Sequence, residues 1–169
     1  LPDGLRVAVR IANEVVYRES RLTASETPMG TTLTALVIRD HDAFLAHVGD
    51  SRAYLIRDGL ISQLTEDHSL VNEMVSSGQL SPEDAKTSRF KNVITRSVGN
   101  LPAVKADLMV IDVLPGDRIL LNSDGLTDMV PDELIEELAS RTEVDVACRE
   151  LIDAALDGGG RDNVTVVIV

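Results

Sequence analysis

Three acidic corners, each set against an apolar run of strand length, limit what this chain can become. Asp50, in Gly49-Asp50-Ser51-Arg52, ends the run Ala43-Phe44-Leu45-Ala46-His47-Val48. Asp124, in Ser123-Asp124-Gly125, ends Arg118-Ile119-Leu120-Leu121-Asn122, and Asp162, in Arg161-Asp162-Asn163, opens the closing run to Val169. A carboxylate at the rim of a rigid sheet is well placed to contribute to a hard-cation site built from oxygen ligands. Three of them, alike in context and far apart in sequence, predict one shared metal centre. The plainer reading, acids that merely terminate strands, stays open at this point, because Asp-Gly corners are common turn chemistry.

The rest of the pattern places those corners on strands. Leu5, Ala8, Val9, Ala12, Val15 and Val16 recur at helical spacing, predicting a helix over about residues 4–20 with Asp3 as its N-cap. Ser25 to Met29 reads as a polar connector. From Gly30 the apolar period shifts towards two, and strands are expected near 31–39, 43–49, 52–57 and 60–64, turned at His41-Asp42 and Asp58-Gly59 as a β-meander. A helix is expected over about 67–78, stopped by Gly78, and a second begins at Ser81-Pro82-Glu83-Asp84, with Ser81 as cap. Strands return near 93–97, 105–113 and 117–123. Helices follow at about 131–139, its buried face marked by Leu134, Ile135 and Leu138, and at 143–156. Long antiparallel runs with helices clustered between them favour an α+β fold over a parallel α/β sheet.

Composition removes several function classes. The 169 residues carry 28 acidic against 16 basic side chains, a net charge of −12, which argues against a general nucleic-acid or membrane-surface binder. Aromatics make up 2% of the chain, so the core must be built from aliphatic side chains. Cys148 is the single cysteine, so no internal disulfide is possible, and it sits within an apolar helical stripe that calls for packing rather than nucleophilic duty. No apolar run reaches membrane-spanning length. The expected setting is the cytoplasm.

In order and spacing, Gly30-Thr31-Thr32, Val48-Gly49-Asp50-Ser51-Arg52-Ala53-Tyr54, Ser123-Asp124-Gly125-Leu126-Thr127-Asp128 and Gly160-Arg161-Asp162-Asn163-Val164-Thr165 resemble the metal-dependent protein phosphatases of type 2C, the bacterial serine/threonine branch in particular. That resemblance implies an antiparallel β-sandwich flanked by helices, in α-β-β-α layers. It also implies hydrolysis of phosphoserine and phosphothreonine on proteins by a water activated by two Mn²⁺ or Mg²⁺ ions, with no phosphoenzyme. By motif, Asp124 and Asp162 are ligands of the paired metals, and Asp50, with Asp124, belongs to a third, weaker site. Gly49, Gly125 and Asn163 shape the loops that carry these acids, Gly125 by allowing a sharp turn and Asn163 by hydrogen bonding. The implied partners are phosphoprotein substrates, including those of a cognate serine/threonine kinase.

One departure accompanies the match. The family carries an upstream Asp-Gly-Met-Gly-Gly-like segment whose Asp bridges two metals, and an arginine that grips the phosphate, and neither has a counterpart in these residues. Residues 1–169 are therefore expected to be a single partial domain, lacking N-terminal strands, weakly active or inactive alone, with a flap-like insertion at about 66–92. Two other functions compete: a noncatalytic phosphatase-like binding module, and a β-sandwich that binds Ca²⁺ structurally, which no EF-hand-like loop supports. Asp128 is expected to cap the helix near Pro131, Arg52 to be structural, Arg161 to be exposed, His68 to serve the flap or a cap, and His47 to be a buried structural histidine.

Overall fold

The computed structural model describes residues 1–23, 28–141 and 143–169, so residues 25–27 of the expected connector lie outside the described residues. The fold is α+β, with antiparallel sheets and helices, and its contacts divide it into two compact units.

The first unit comprises Leu1–Asp50 and Asp67–Asp112. Helix α1 (Pro2–Leu22) begins two residues earlier than the apolar spacing suggests, because Pro2 fits the first turn, where its missing N–H costs nothing. Its N-cap is Leu1; Asp3 lies in the first turn and pairs with Arg6 at 2.7 Å instead of capping. Strands β1 (Leu33–Arg39) and β2 (Asp42–Val48) form a hairpin in register Leu33↔Val48 to Arg39↔Asp42. Its turn is Asp40-His41, one residue before the expected pair, because Asp40 adopts the left-handed conformation that short acidic residues tolerate (φ 56°). Strand β5 (Asp107–Asp112) pairs with the other edge of β2, giving the order β1-β2-β5. Val9 of α1 meets Ala46, Val48 and Val98 in the core of this unit, with Leu5, Val16 and Leu108 packed around them.

The expected strand at 93–97 does not form: this segment makes only the isolated bridges Thr31↔Val98 and Ser69↔Ile94. Between those bridges lie α2 (Leu70–Ser76) and α3 (Pro82–Thr87), capped by the hydroxyls of Ser69 and Ser81. Asn13, 1% exposed, secures α1 to the turn that follows: its Nδ2 donates to the Leu101 carbonyl at 3.0 Å and its Oδ1 accepts from the Gly99 N–H at 2.8 Å.

The second unit comprises Ser51–Glu66 and Val113–Val169. Strand β3 (Arg52–Arg57) turns through Asp58-Gly59 into β4 (Leu60–Gln63), and the sheet continues with β6 (Arg118–Asn122) and β7 (Val166–Ile168) in the order β4-β3-β6-β7. The expected meander is thus broken between β2 and β3, which belong to different sheets; the break falls at the Gly49–Ser51 corner. Strand β7 covers only the last part of the predicted closing run. Helices α4 (Asp124–Thr127), α5 (Asp132–Ala139) and α6 (Val144–Asp157) supply the other half of the core. Ala147, Leu151 and Ala155 recur every four residues along α6 and are fully buried, and Leu151 and Ala155 join the core of Ile135, Leu126, Leu120 and Tyr54. Leu134, expected on the buried face of α5, is exposed, whereas Ile135 and Leu138 are buried. Cys148 is half-buried beside that stripe.

Arg57 at the end of β3 grips Asp117 at the start of β6 with two hydrogen bonds, of 2.9 and 2.6 Å. The Arg57 bonds hold the Asp117 carboxyl below its ordinary value of 3.8, against the opposing effect of burial. An acid whose folded value is depressed stabilises the native state above its unfolded value and loses that contribution as pH falls through the folded one. Asp117→Asn is therefore expected to cost about 1–2 kcal/mol near neutrality, allowing for the partly exposed arginine, and progressively less as the pH is lowered from 3.8, as read from urea midpoints across that range. Asn13→Leu, which leaves the Gly99 N–H buried without an acceptor, is expected to lower stability by about 1–3 kcal/mol in the same measurement.

Candidate metal centre

In the second unit the chain brings two of the three acidic corners together. Strand β6 runs out at Asn122, and Ser123 joins it to the segment leading into β7. Its N–H donates to the Thr165 carbonyl at 3.1 Å, its hydroxyl donates to the Asn163 carbonyl at 3.2 Å, and that hydroxyl accepts the Thr165 N–H at 3.0 Å. Three hydrogen bonds from one residue fasten the Asp124 and Asp162 corners side by side. Gly125 is needed for that approach, not for a sharp turn: it lies in the first turn of α4, and a Cβ there would strike the Asn163 carbonyl oxygen. Asn163 steadies the Asp162 loop through its backbone, its N–H donating to Asp162 Oδ1 at 2.7 Å.

Asp124 is half-buried and Asp162 exposed. Burial pushes the Asp124 carboxyl above its ordinary value of 3.8, and the charges of Asp162 and Asp128 push it the same way, outweighing the N–H bond from Gly125. Asp128 closes α4 as its C-cap rather than capping the next helix, whose N-cap is Pro131. Beneath the corner, Asn122 is 4% exposed; its Nδ2 donates to the Ser123 carbonyl at 2.8 Å and its Oδ1 is buried without a hydrogen-bond partner. Asn122 and Ser123 carried no signal in the sequence beyond adjacency to Asp124.

The third corner, in the first unit, is built differently. Gly49 takes φ +117°, and a Cβ there would strike the side chain of Thr32, so only glycine lets the chain leave β2 in this direction. His68, 6% exposed, holds the same glycine from both sides: its N–H donates to the Gly49 carbonyl at 2.8 Å, and its Nδ1 accepts the Gly49 N–H at 3.0 Å. The ring proton is thereby assigned to Nε2, which donates to Asp107 Oδ2 at 2.9 Å; Arg96 Nη1, which donates to Asp107 Oδ1 at 2.8 Å, also lies 2.8 Å from Nε2 but finds no acceptor there in this tautomer. Burial disfavours the charge on Asp107, but the hydrogen bonds from His68 and Arg96 prevail and hold its carboxyl below 3.8. The half-buried Asp50 follows directly from this clamped glycine. The cap of α2 is Ser69, so His68 does not play the capping part expected of it. His47 is fully buried in β2, its Nδ1 3.0 Å from the Thr34 hydroxyl. Arg52 donates to the Tyr54 hydroxyl at 3.2 Å, and Arg161 is exposed.

Among the described residues, no group of three or more His, Cys, Asp or Glu side chains is arranged to hold a metal ion. The second unit offers instead a pair of converging carboxylates with a buried, unpaired amide oxygen close by in the chain. That donor set suits a hard cation which keeps several waters and takes one or two protein carboxylates, as Mg²⁺ commonly does. The charge conflict at Asp124 is of the kind a cation relieves.

Comparison with known proteins gives this site its context. The family model described as protein phosphatase 2C matches residues 1–164. The protein phosphatase PhpP of Streptococcus pneumoniae is 45% identical over 148 residues, which cover 83% of this chain and 58% of that protein. The crystal structure of the Mycobacterium tuberculosis serine/threonine phosphatase PstP superposes with a TM-score of 0.94 at 40% identity, covering 99% of this chain and 71% of the other. A structure of the PstP catalytic domain in complex with two manganese ions gives a TM-score of 0.91 at 40% identity, over 99% of this chain and 70% of the other. This chain belongs to the protein phosphatase 2C family. It spans about three-fifths of the length of the streptococcal relative.

The Asp124 geometry has a measurable consequence without metal. An acid with a raised folded value favours the native state below pH 3.8 and penalises it as pH rises through that folded value. Asp124→Asn is therefore expected to raise the melting temperature of the metal-free chain at pH 7, and the gain should vanish below pH 3.8.

Proposed function

We propose that residues 1–169 form a single, partial domain of a protein phosphatase that hydrolyses phosphoserine and phosphothreonine on proteins with the help of Mn²⁺ or Mg²⁺. The observation that carries this reading is the convergence of the Asp124 and Asp162 corners in a chain that matches the phosphatase 2C family over residues 1–164. Asp124 and Asp162 are the metal ligands, and Asp50 contributes to a further, weaker cation site. Residues 66–92 form a flap-like insertion. The substrates are phosphoproteins, including those of a cognate serine/threonine kinase, and the setting is the cytoplasm. Among the described residues no helix is long and apolar enough to cross a membrane.

A divalent cation in such a site lowers the pKa of water and neutralises charge on the phosphate oxygens. The chain's own residues hold and orient. Ser123 fixes the spacing of the Asp124 and Asp162 carboxylates through three hydrogen bonds. The Asn163 N–H directs one Asp162 oxygen, leaving the other available. Gly125 keeps the two backbones close enough for both acids to face one ion.

Phosphate release from a phosphothreonine peptide, with and without Mn²⁺, tests the reading. The expected result is slow, Mn²⁺-dependent turnover that Asp124→Asn or Asp162→Asn lowers by about 100-fold. Mn²⁺ should also raise the melting temperature of the unaltered chain but not of the doubly substituted one. Turnover that persists without Mn²⁺ or in both variants would overturn the assignment, as would the absence of both turnover and Mn²⁺ stabilisation.

A further inference from the structure

From the contacts around Gly49 we infer that His68 is the positioning residue of the Asp50 corner, setting the direction of that carboxylate through the backbone of Gly49. The inference rests on the reading of Asp50 as a cation-binding residue. His68 is bonded to Gly49 twice, through its own N–H and through Nδ1. With the peptide N–H on one side of Gly49 and its carbonyl on the other both fixed, and φ held at +117° by the fit against Thr32, little freedom remains in the plane from which Asp50 departs.

Other duties for His68 are already filled. Ser69 caps α2, which leaves the imidazole no capping role. Catalysis is excluded by the valence of the ring: Nδ1 spends its lone pair on Gly49 and Nε2 its proton on Asp107, so neither nitrogen can serve a substrate. Asp107, itself paired with Arg96 at 2.8 Å, locks the tautomer that makes Nδ1 an acceptor. His47 packs against the ring with centroids 4.9 Å apart and prevents it from turning away. His68, Asp107 and Arg96, all distant in sequence from Gly49, thus form one chain of bonds that ends on a backbone amide immediately before an acid, more than a strand end requires.

Two amide substitutions separate positioning from mere packing. In His68→Asn the amide oxygen sits about where Nδ1 was and still accepts from Gly49; in His68→Gln it reaches instead to the place of Nε2. The probe is Mn²⁺ alone, titrated into the 169-residue chain while paramagnetic broadening of amide resonances around Asp50 is followed, together with hydrogen exchange at the Gly49 amide. The Asn variant is expected to keep apparent Mn²⁺ affinity at this corner within about threefold and the Gln variant to lose about tenfold, with faster Gly49 exchange only in the latter. Equal effects of the two amides, while Asp50→Asn removes the broadening, would overturn the inference alone. Broadening that survives Asp50→Asn would overturn the cation reading of Asp50 and the inference with it. Should the Gln variant not fold, Asp107→Ala, which leaves the imidazole in place but unoriented, is expected to weaken the broadening about threefold, and no change there overturns the inference.

Discussion

Two carboxylates that repel one another are held together in this protein by the backbone and hydroxyl hydrogen bonds of one serine. Ser123 stitches the end of β6 to the entry of β7, and Gly125 removes the Cβ that would keep the two strand ends apart. The cost of that closeness is visible at Asp124, whose carboxyl is pushed up by burial and by the charges of Asp162 and Asp128. A carboxylate pair held in such a conflict would favour a cation that relieves it, since its geometry would not have to form on binding. The aliphatic core of α4, α5, α6 and the sheet beneath them supplies the rigidity that resists the repulsion.

The acids of this chain divide by their partners rather than by their type. Asp117 and Asp107 are held ionised by Arg57 and by the His68–Arg96 pair, and their values fall. Asp124 faces other carboxylates, and its value rises. The first two behave as structural anchors whose contribution fades in acid; the third carries a charge conflict of the kind a cation relieves. A net charge of −12 says nothing about this distinction, which depends on which cation or anion lies within a few ångströms of each carboxylate.

The Asp50 corner reaches a comparable definition by another route. No strand crosses it, since β2 and β3 pair in different sheets, so its geometry comes from a left-handed glycine and a histidine clamp. Asn13 shows a related device elsewhere in the first unit: its buried side chain takes both a carbonyl and an N–H from irregular backbone, whereas the Gly49 carbonyl goes to the backbone N–H of His68. In each case the polar group is fully engaged, the condition under which a buried amide or imidazole specifies a conformation without a desolvation penalty.

The fold class, the helices at both ends, the Asp58-Gly59 hairpin, the Ser81 cap and the three acidic corners were all legible in the residues, because each rests on local periodicity or local turn chemistry. The resemblance in motif order identified the family for the same reason: its signature lies in short contiguous blocks. What the residues did not show depends on contacts between distant segments. Asp3 looked like a cap until Pro2 entered the helix; Gly125 looked like a turn residue until Asn163 came up against it; residues 93–97 had a strand's apolar content but no continuous edge with which to pair. Ser123 stood in the motif around Asp124, but its bonds, the buried Asn122 and the His68–Asp107–Arg96 group left no pattern, since a hydrogen bond spanning 39 residues leaves no periodicity in the chain. The sequence alone determined that Asp50 and Asp124 follow strand ends, because side-chain alternation and turn propensity act over a few residues; tertiary structure left Asp162 in the loop ahead of β7 and decided which acids meet and what orients them, because electrostatics and hydrogen bonding act through space.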